Sequence, residues 1–343
     1  MRILFTADPE LPVPPIHYGG VQRLVAQVAE QMRSRGHTVG LIAHPDSTAK
    51  VDAIYSFPGR ASQNRIDTVR NCLALHQAVK HFSPDILHSY SRLMYMIPLL
   101  GQNLQKIMSY GRSPGTRQVY WANFLFPNTL TFTGCSKHIT NSGRVGGGKW
   151  HIIYNSIDLD DFSYVDSVQD DAPLVFLSRL ERIKGVHTAI KIAQHAQRKL
   201  IIAGNTIESG PSAKYFEEEI KPQIDGQQIS YIGPVDNKQR NELLGQARCL
   251  LVPIEWEEPY GLVFAEALAC GTPVISTARG AVPEIIRNNI EGILIESIED
   301  GVNAVNHIHT LERAACRKRV EELFSLPTIA TQYENLYKAL LIK

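Results

Sequence analysis

The chain has 343 residues, 44% of them hydrophobic, with 35 lysines and arginines against 34 aspartates and glutamates and a formal net charge of +1. That length predicts two domains, each large enough for its own core. The balanced charge, without a basic block, excludes the electrostatic footprint of a nucleic-acid binder and leaves a small anionic ligand open.

The chain starts directly in a strand, "RILFTA", with no leader-like charged and apolar segment, and no run reaches about 18 apolar residues. The expectation is a cytoplasmic protein without a membrane span, for which peripheral membrane contact stays open. A loop, "DPELPVPPIHYGG", leads to a helix from Val21 to about Arg35 with Leu24, Val25, Val28 and Ala29 on one face. Then follow the strand "TVGLIAH", a helix over 67–82, and the strands "DILHSY", "QKIMSY" and "TFTGCS". Such alternation argues for β-α-β units around a parallel sheet. After "WHIIYNSIDLDDF" the polar, acidic stretch "SYVDSVQDDAP" reads as the linker.

A second alternating series follows: "PLVFLSRL", helix 186–197, "KLIIAGN", helix 213–221, "ISYIGPV", helix 236–247, "CLLVPI", helix 261–269, "PVISTA", then helices to the end. Right-handed crossovers put helix N-termini and strand C-terminal ends on one sheet edge, where open α/β sheets bind ligands. Two such domains facing each other would make a cleft. The five cysteines, Cys72, Cys135, Cys249, Cys270 and Cys316, are far apart and lack metal or redox spacing, so they read as buried thiols in a reducing compartment.

The most informative stretch is "EWEEPYGLVFAEALACGTPV", residues 255–274. Pro259 and Gly261 break the chain after a strand and a helix starts at Leu262, so Glu258 falls in the loop and Glu266 about one and a half turns in. The first amides of that helix, at Gly261, Leu262 and Val263, carry the positive end of its dipole and suit a phosphate. Two carboxylates would repel that phosphate unless they accept hydrogen bonds from hydroxyls, which sugars supply. The plain alternative makes Glu258 a helix-entry acid and Glu266 a solvated residue, but Glu266 lies between Ala265 and Ala267 in an apolar run and so needs a partner.

With its seven-residue spacing and the following "ARGAVPEII", this stretch resembles the donor-site signature of glycosyltransferase family 4. The resemblance implies a GT-B fold, that is, two Rossmann-like α/β domains with parallel sheets. Residues 1–164 would form an acceptor domain, residues 165–325 a nucleotide-sugar donor domain, and residues 326–343 a helix packing back on the first. It implies that Glu258 bonds donor-sugar hydroxyls, Glu266 the ribose, and the intervening amides the diphosphate. It also implies metal-independent retention of configuration by a hexosyltransferase of glycan biosynthesis. No cofactor is expected; the partners are a nucleotide-sugar donor and a hydroxyl-bearing acceptor.

Other segments bear on this reading. "FLSRLERIKG" offers Arg179 and Lys184 at a strand end, cations suited to a leaving nucleoside diphosphate. Gly204 in "IIAGN" lets a ligand or another backbone come close, and "YIGPVDNKQ" resembles the segment whose backbone near Val235 meets the base. "HYGGVQRLV" is neither a P-loop nor a dinucleotide fingerprint, yet by resemblance Gly20 lies under the diphosphate. Lys137 and His138 are acceptor-side candidates set against a surface or packing role. Asp158 and Asp160 in "DLDDF" suit a capping or turn role better than a metal site. Many relatives carry a histidine at the end of a first-domain strand. The comparable strand here reads "KIMSYGRS", which puts Ser109 or Tyr110 there, with Arg112 in reach. His88, one strand earlier, reads as a packing histidine. Two rivals remain: a nucleotide-sugar epimerase of the same fold, and a nucleotide-sugar-binding subunit without turnover.

Overall fold

The computed structural model describes every residue except His17, Tyr18, Glu208 and Lys343. Its contacts divide the chain into two units, Met1–Ser156 with Leu326–Lys343, and Ile157–Ser325.

The first unit contains β1 (Arg2–Thr6), α1 (Gly20–Ser34), β2 (Thr38–Ala43), β3 (Ala53–Ser56), α2 (Arg65–Phe82), β4 (Ile86–Ser89), β5 (Gln105–Tyr110), α3 (Thr116–Leu125), β6 (Leu130–Gly134), α4 (Lys137–Arg144) and β7 (Lys149–Ile152). The strands form one sheet in the order β3-β2-β1-β4-β5-β6-β7, and every pairing is parallel. Central strands such as Ile3-Leu4-Phe5 are fully buried on both faces, as a sheet covered twice requires. On one face Ile3 and Phe5 meet Val25, Val28 and Ala29 of α1 and Ile329, Tyr333 and Tyr337 of the C-terminal helix, Leu326–Leu341. On the other, Leu4 and Ile42 pack with Leu75 and Phe82 of α2 and with Phe132 and Trp150.

His88 on β4 is fully buried in this packing. Its Nδ1 lies 2.6 Å from the Tyr337 hydroxyl and its Nε2 2.7 Å from Ser109 Oγ. Burial pushes its pKa down to about 3. It is a neutral histidine that ties the sheet to the C-terminal helix.

The second unit contains β8 (Leu174–Leu177), α5 (Val186–His195), β9 (Leu200–Ala203), α6 (Pro211–Tyr215), β10 (Ile229–Tyr231), α7 (Asn237–Gln246), β11 (Cys249–Leu251), α8 (Leu262–Ala269), β12 (Val274–Thr277), α9 (Val282–Ile285), β13 (Gly292–Ile295), α10 (Ile298–His307) and α11 (Arg313–Leu323). Its six strands are ordered β10-β9-β8-β11-β12-β13, again all parallel.

The structure differs from the sequence reading at identifiable places. The division falls after Ser156 rather than at 164, because residues 163–165 are held by the second unit: Ser163 N–H donates to Asn241 Oδ1 (2.9 Å) and Val165 N–H to the Cys270 carbonyl (3.1 Å). The acidic stretch 163–173 therefore begins as an anchored segment instead of a linker between units. A four-residue strand, β13, stands where only helices were expected after β12; it is short and half-exposed in part, so no long apolar run announces it. The expected helix 213–221 is α6 followed by a π turn, Phe216–Ile220, and a 3-10 turn, Lys221–Gln223, where Pro222 cannot donate the next helical bond. Four of the five cysteines are buried, Cys72 is half-buried, and all are free thiols.

Candidate functional site

In an open parallel sheet a ligand crevice forms where successive strands depart in opposite directions and the loops at their C-terminal ends part. In the second unit this point lies between β8 and β11, with β9 and β10 on one side and β12 and β13 on the other. The helices fed by those two strands, α5 and α8, begin at Gly185 and Gly261 and have no side-chain cap. By contrast α7 and α10 begin with capping boxes at Asp236 and Ser297. At the switch point, then, no capping side chain competes with a ligand for the first helical amides.

Two glycines make this geometry. Gly185, at φ +77°, sits where a Cβ would lie 2.0 Å from the Pro253 carbonyl oxygen. Alongside it the Glu255 N–H donates to the Ile183 carbonyl at 2.8 Å, so the loops after β8 and β11 are clamped together. Gly261, at φ +81°, would bring a Cβ to 2.5 Å from the Phe264 ring. Gly261→Ala is therefore expected to cost about 1–2 kcal/mol in left-handed backbone strain alone. The check is a lowered thermal midpoint together with weakened binding of any anion at the α8 N-terminus.

The clamp brings Lys184 and Glu258 into contact, Nζ to Oε2 2.6 Å, with 9% and 8% of each residue exposed. Trp256 Nε1–H donates to the same carboxylate oxygen at 2.9 Å, and Lys184 Nζ lies 4.6 Å from the Trp256 ring centroid. A buried ion pair survives only when further hydrogen bonds offset its desolvation, and the indole supplies one such bond and a cation–π contact. The loop after β12 buttresses the arrangement: Gly280 N–H donates to Glu257 Oε2 at 2.6 Å and Ala281 N–H to the Glu258 carbonyl at 2.8 Å.

Glu266, 7% exposed, belongs to a second ion pair, its Oε1 lying 3.2 Å from Arg240 Nη1 on α7, whose guanidinium stands 5.1 Å from the Phe162 ring centroid. Glu258 and Glu266 thus each have a cation of their own, which lessens the repulsion a neighbouring phosphate would otherwise meet. Arg179 pairs with Glu181 at 3.1 Å, its side chain 44% exposed. Leu262 and Val263 are the first, half-buried residues of α8, and Val235 is half-buried in the loop before α7. At Gly204 the close approach is made by protein, since a Cβ would lie 1.8 Å from the Ser178 carbonyl oxygen.

The first unit has its own switch point, between β1 and β4. There α1 begins at Gly20, again without a side-chain cap. In the loop after β1, Asp8 Oδ1 is buried without a hydrogen-bond partner. Burial and the nearby Glu10 push the Asp8 carboxyl up to about 6, against the opposing pull of Arg112 and Arg92. Arg112 is exposed in the loop after β5. Tyr110 is taken up in packing, its ring stacked on Trp150 at 5.7 Å and Phe132 at 6.3 Å, with burial raising its pKa. Lys137 and His138 open α4, exposed and half-buried, behind the N-cap Ser136. Asp158 caps a 3-10 turn by accepting from Asp160 N–H at 3.2 Å.

Trp256, Arg240 and Asp8 escaped the sequence reading. Trp256 stands two residues before Glu258 and was open to notice; Arg240 reaches Glu266 from a helix distant in sequence; Asp8 follows the first strand and looks like an ordinary turn residue.

Residues 161–322 match the family model described as Glycosyl transferases group 1, and residues 18–161 match Glycosyltransferase Family 4. Over 215 residues the chain is 31% identical to an uncharacterized glycosyltransferase of Methanocaldococcus jannaschii, covering 55% of this chain and 54% of that protein. Over 209 residues it is 30% identical to N-acetyl-alpha-D-glucosaminyl L-malate synthase of Bacillus anthracis, covering 54% and 52%. The chain thus spans about half the length of these curated relatives. Among solved structures, the Anabaena protein HepE in complex with UDP-glucose shares the fold at a TM-score of 0.75 and 15% identity, over 99% of this chain and 100% of that one.

Proposed function

The chain belongs to glycosyltransferase family 4 and has the GT-B fold of two Rossmann-like parallel-sheet units, and from that premise we propose that it moves a sugar from a nucleoside-diphosphate sugar to a hydroxyl acceptor, with retention of configuration and without a divalent metal. The observation that carries this reading is the Lys184–Glu258–Trp256 cluster at the second unit's switch point, beside the uncapped start of α8.

In this reading the donor diphosphate lies on the amides of Gly261, Leu262 and Val263, and Lys184 and Arg179 supply the positive charge that the leaving group needs as the glycosidic bond breaks. Glu258 accepts hydrogen bonds from donor-sugar hydroxyls. Its contact with Lys184 lets the two ends of one ion pair hold sugar and phosphate. Glu266 holds the ribose and Val235 lies near the base. The acceptor hydroxyl attacks from the face that the diphosphate leaves, and the departing phosphate takes its proton; the protein contributes orientation and charge. We assign the acceptor side to the first unit, where the buried Asp8 Oδ1 has no hydrogen-bond partner and Arg112 and Arg92 act on the carboxyl electrostatically. The packing of Tyr110 favours a second reading, donor binding without turnover, in which Glu258→Gln changes affinity alone. An epimerase of the same fold would release no nucleoside diphosphate at steady state.

UDP-glucose, the ligand of the Anabaena structure, heads a panel of nucleoside-diphosphate sugars for thermal-shift measurement. A cognate donor at about 100 times its Kd adds about 2.7 kcal/mol of stability; no shift across the panel rejects the reading. Glu266→Ala is expected to abolish most of that shift. Should it lower the melting midpoint yet leave nucleotide affinity intact, Glu266 serves Arg240 alone and the ribose assignment fails.

A further inference from the structure

Between Asp85 and Asp158 the chain contains no acidic residue, yet the stretch carries seven lysines and arginines in a protein of net charge +1. It builds β4–β7 together with α3 and α4. Within α3 only Val119 and Ala122 are buried. Tyr120, Trp121, Phe124 and Leu125 stand 51%, 58%, 63% and 57% exposed. The three aromatic rings pack on one another, Trp121 5.4 Å from Tyr120 and 6.1 Å from Phe124 between centroids. Exposed Arg117 lies three and four residues before Tyr120 and Trp121 and so shares their face. A Cβ on Gly146 would lie 2.7 Å from the Thr116 carbonyl oxygen, so the loop after α4 runs against α3 and places exposed Arg144 and 78%-exposed Val145 next to it.

An exposed apolar face of this kind marks an interaction surface. Its chemistry selects the occupant. Aromatic residues with a polar tip, aliphatic residues beside them and arginines at the margin match the headgroup boundary of a bilayer, where rings sit among glycerol groups and guanidinium groups reach phosphate. A second copy of this chain fits poorly, since a two-fold contact would set Arg117 and Arg144 of one copy close to the same arginines of the other.

We propose that the α3 face, with the Arg144–Val145 loop, docks this protein on an anionic lipid bilayer. Trp121, Phe124, Leu125 and Val145 enter the interface, and Arg117 and Arg144 bind lipid phosphates. Such docking would bring the enzyme to a membrane surface without any spanning segment; among the described residues no helix is long and apolar enough to cross a membrane.

The test is co-sedimentation of the full chain with vesicles of phosphatidylcholine alone and of phosphatidylcholine with about a third phosphatidylglycerol. Binding is expected to the anionic vesicles only, with a blue shift in tryptophan emission, and to weaken at high salt as the Debye length shrinks. Replacing Trp121 and Phe124 together by alanine is expected to lower partitioning by about tenfold or more, and Arg117→Gln or Arg144→Gln by about fivefold each. All these side chains are exposed, so the thermal midpoint and the nucleotide-sugar shift should stay as in the parent. This separates failure of docking from failure of the donor site. No binding to anionic vesicles, or binding that the aromatic pair does not affect, overturns the proposal. So does lipid-free self-association abolished by the same pair, which would give the face to a second copy, or binding of a single-stranded oligonucleotide in preference to vesicles.

Discussion

Under the proposed function, Lys184→Ala is expected to lower kcat by about a hundredfold or more, the usual cost of removing a charge-stabilising donor from a developing anion, with a smaller loss of donor affinity. The ammonium group is 2.6 Å from Glu258 and faces the Trp256 ring, so the change also leaves the Glu258 carboxylate buried with one cation fewer. Breaking a buried pair in this way costs about 3–5 kcal/mol, so activity must be measured well below the lowered melting midpoint. Lys184→Arg is the companion variant: it keeps the charge and restores most of the stability, but a planar guanidinium cannot take the place of a point charge between carboxylate and indole. Single-turnover kinetics of donor cleavage is the measurement. A folded Lys184→Ala protein with parental kcat removes Lys184 from the chemistry, and a KM effect alone leaves it a binding residue.

Asp8→Asn is expected to raise stability and, under the proposed function, to lower activity. The folded Asp8 carboxyl keeps its proton up to about pH 6 against an ordinary value of 3.8, so the folded state binds that proton more tightly than the unfolded chain. Its contribution to stability is complete below the unfolded pKa and is lost as pH rises through the folded one. At neutral pH the ionised form is therefore a burden, and Asp8→Asn relieves it by on the order of 2 kcal/mol. Denaturant titrations of both proteins should coincide below pH 3.8, draw apart as pH rises from there to about 6, and stay apart by a constant amount above it. An acid retained at such a cost points to function, so kcat/KM for the acceptor is expected to fall. A variant that is more stable and fully active would make Asp8 a bystander.

Much of the fold was legible because it follows from local pattern. The run Ile3-Leu4-Phe5 reads as a doubly covered strand, and the helix begun at Gly20 carries Leu24, Val25, Val28 and Ala29 on the face the sequence marks. Short segments escaped, among them β3, β7 and β13 at four residues each, which are too brief to show a period and lie at or near sheet edges. At the site, the loop position of Glu258 and the uncapped glycine before α8 were readable from "EEPYG". The partner of Glu266 was not, because Arg240 arrives from another helix.

The sequence by itself determined the alternation of strands and helices, the two-unit scale and the glycine turn that opens α8, because period, turn chemistry and helix entry are properties of neighbours along the chain. Tertiary structure alone decided which charges meet. The clamp at Gly185 and Pro253 sets Lys184 on Glu258, the packing of α7 on α8 sets Arg240 on Glu266, and burial makes His88 a neutral strut and Asp8 an acid with a raised pKa. Those outcomes depend on desolvation and on contacts between residues far apart in the chain, which no local pattern encodes.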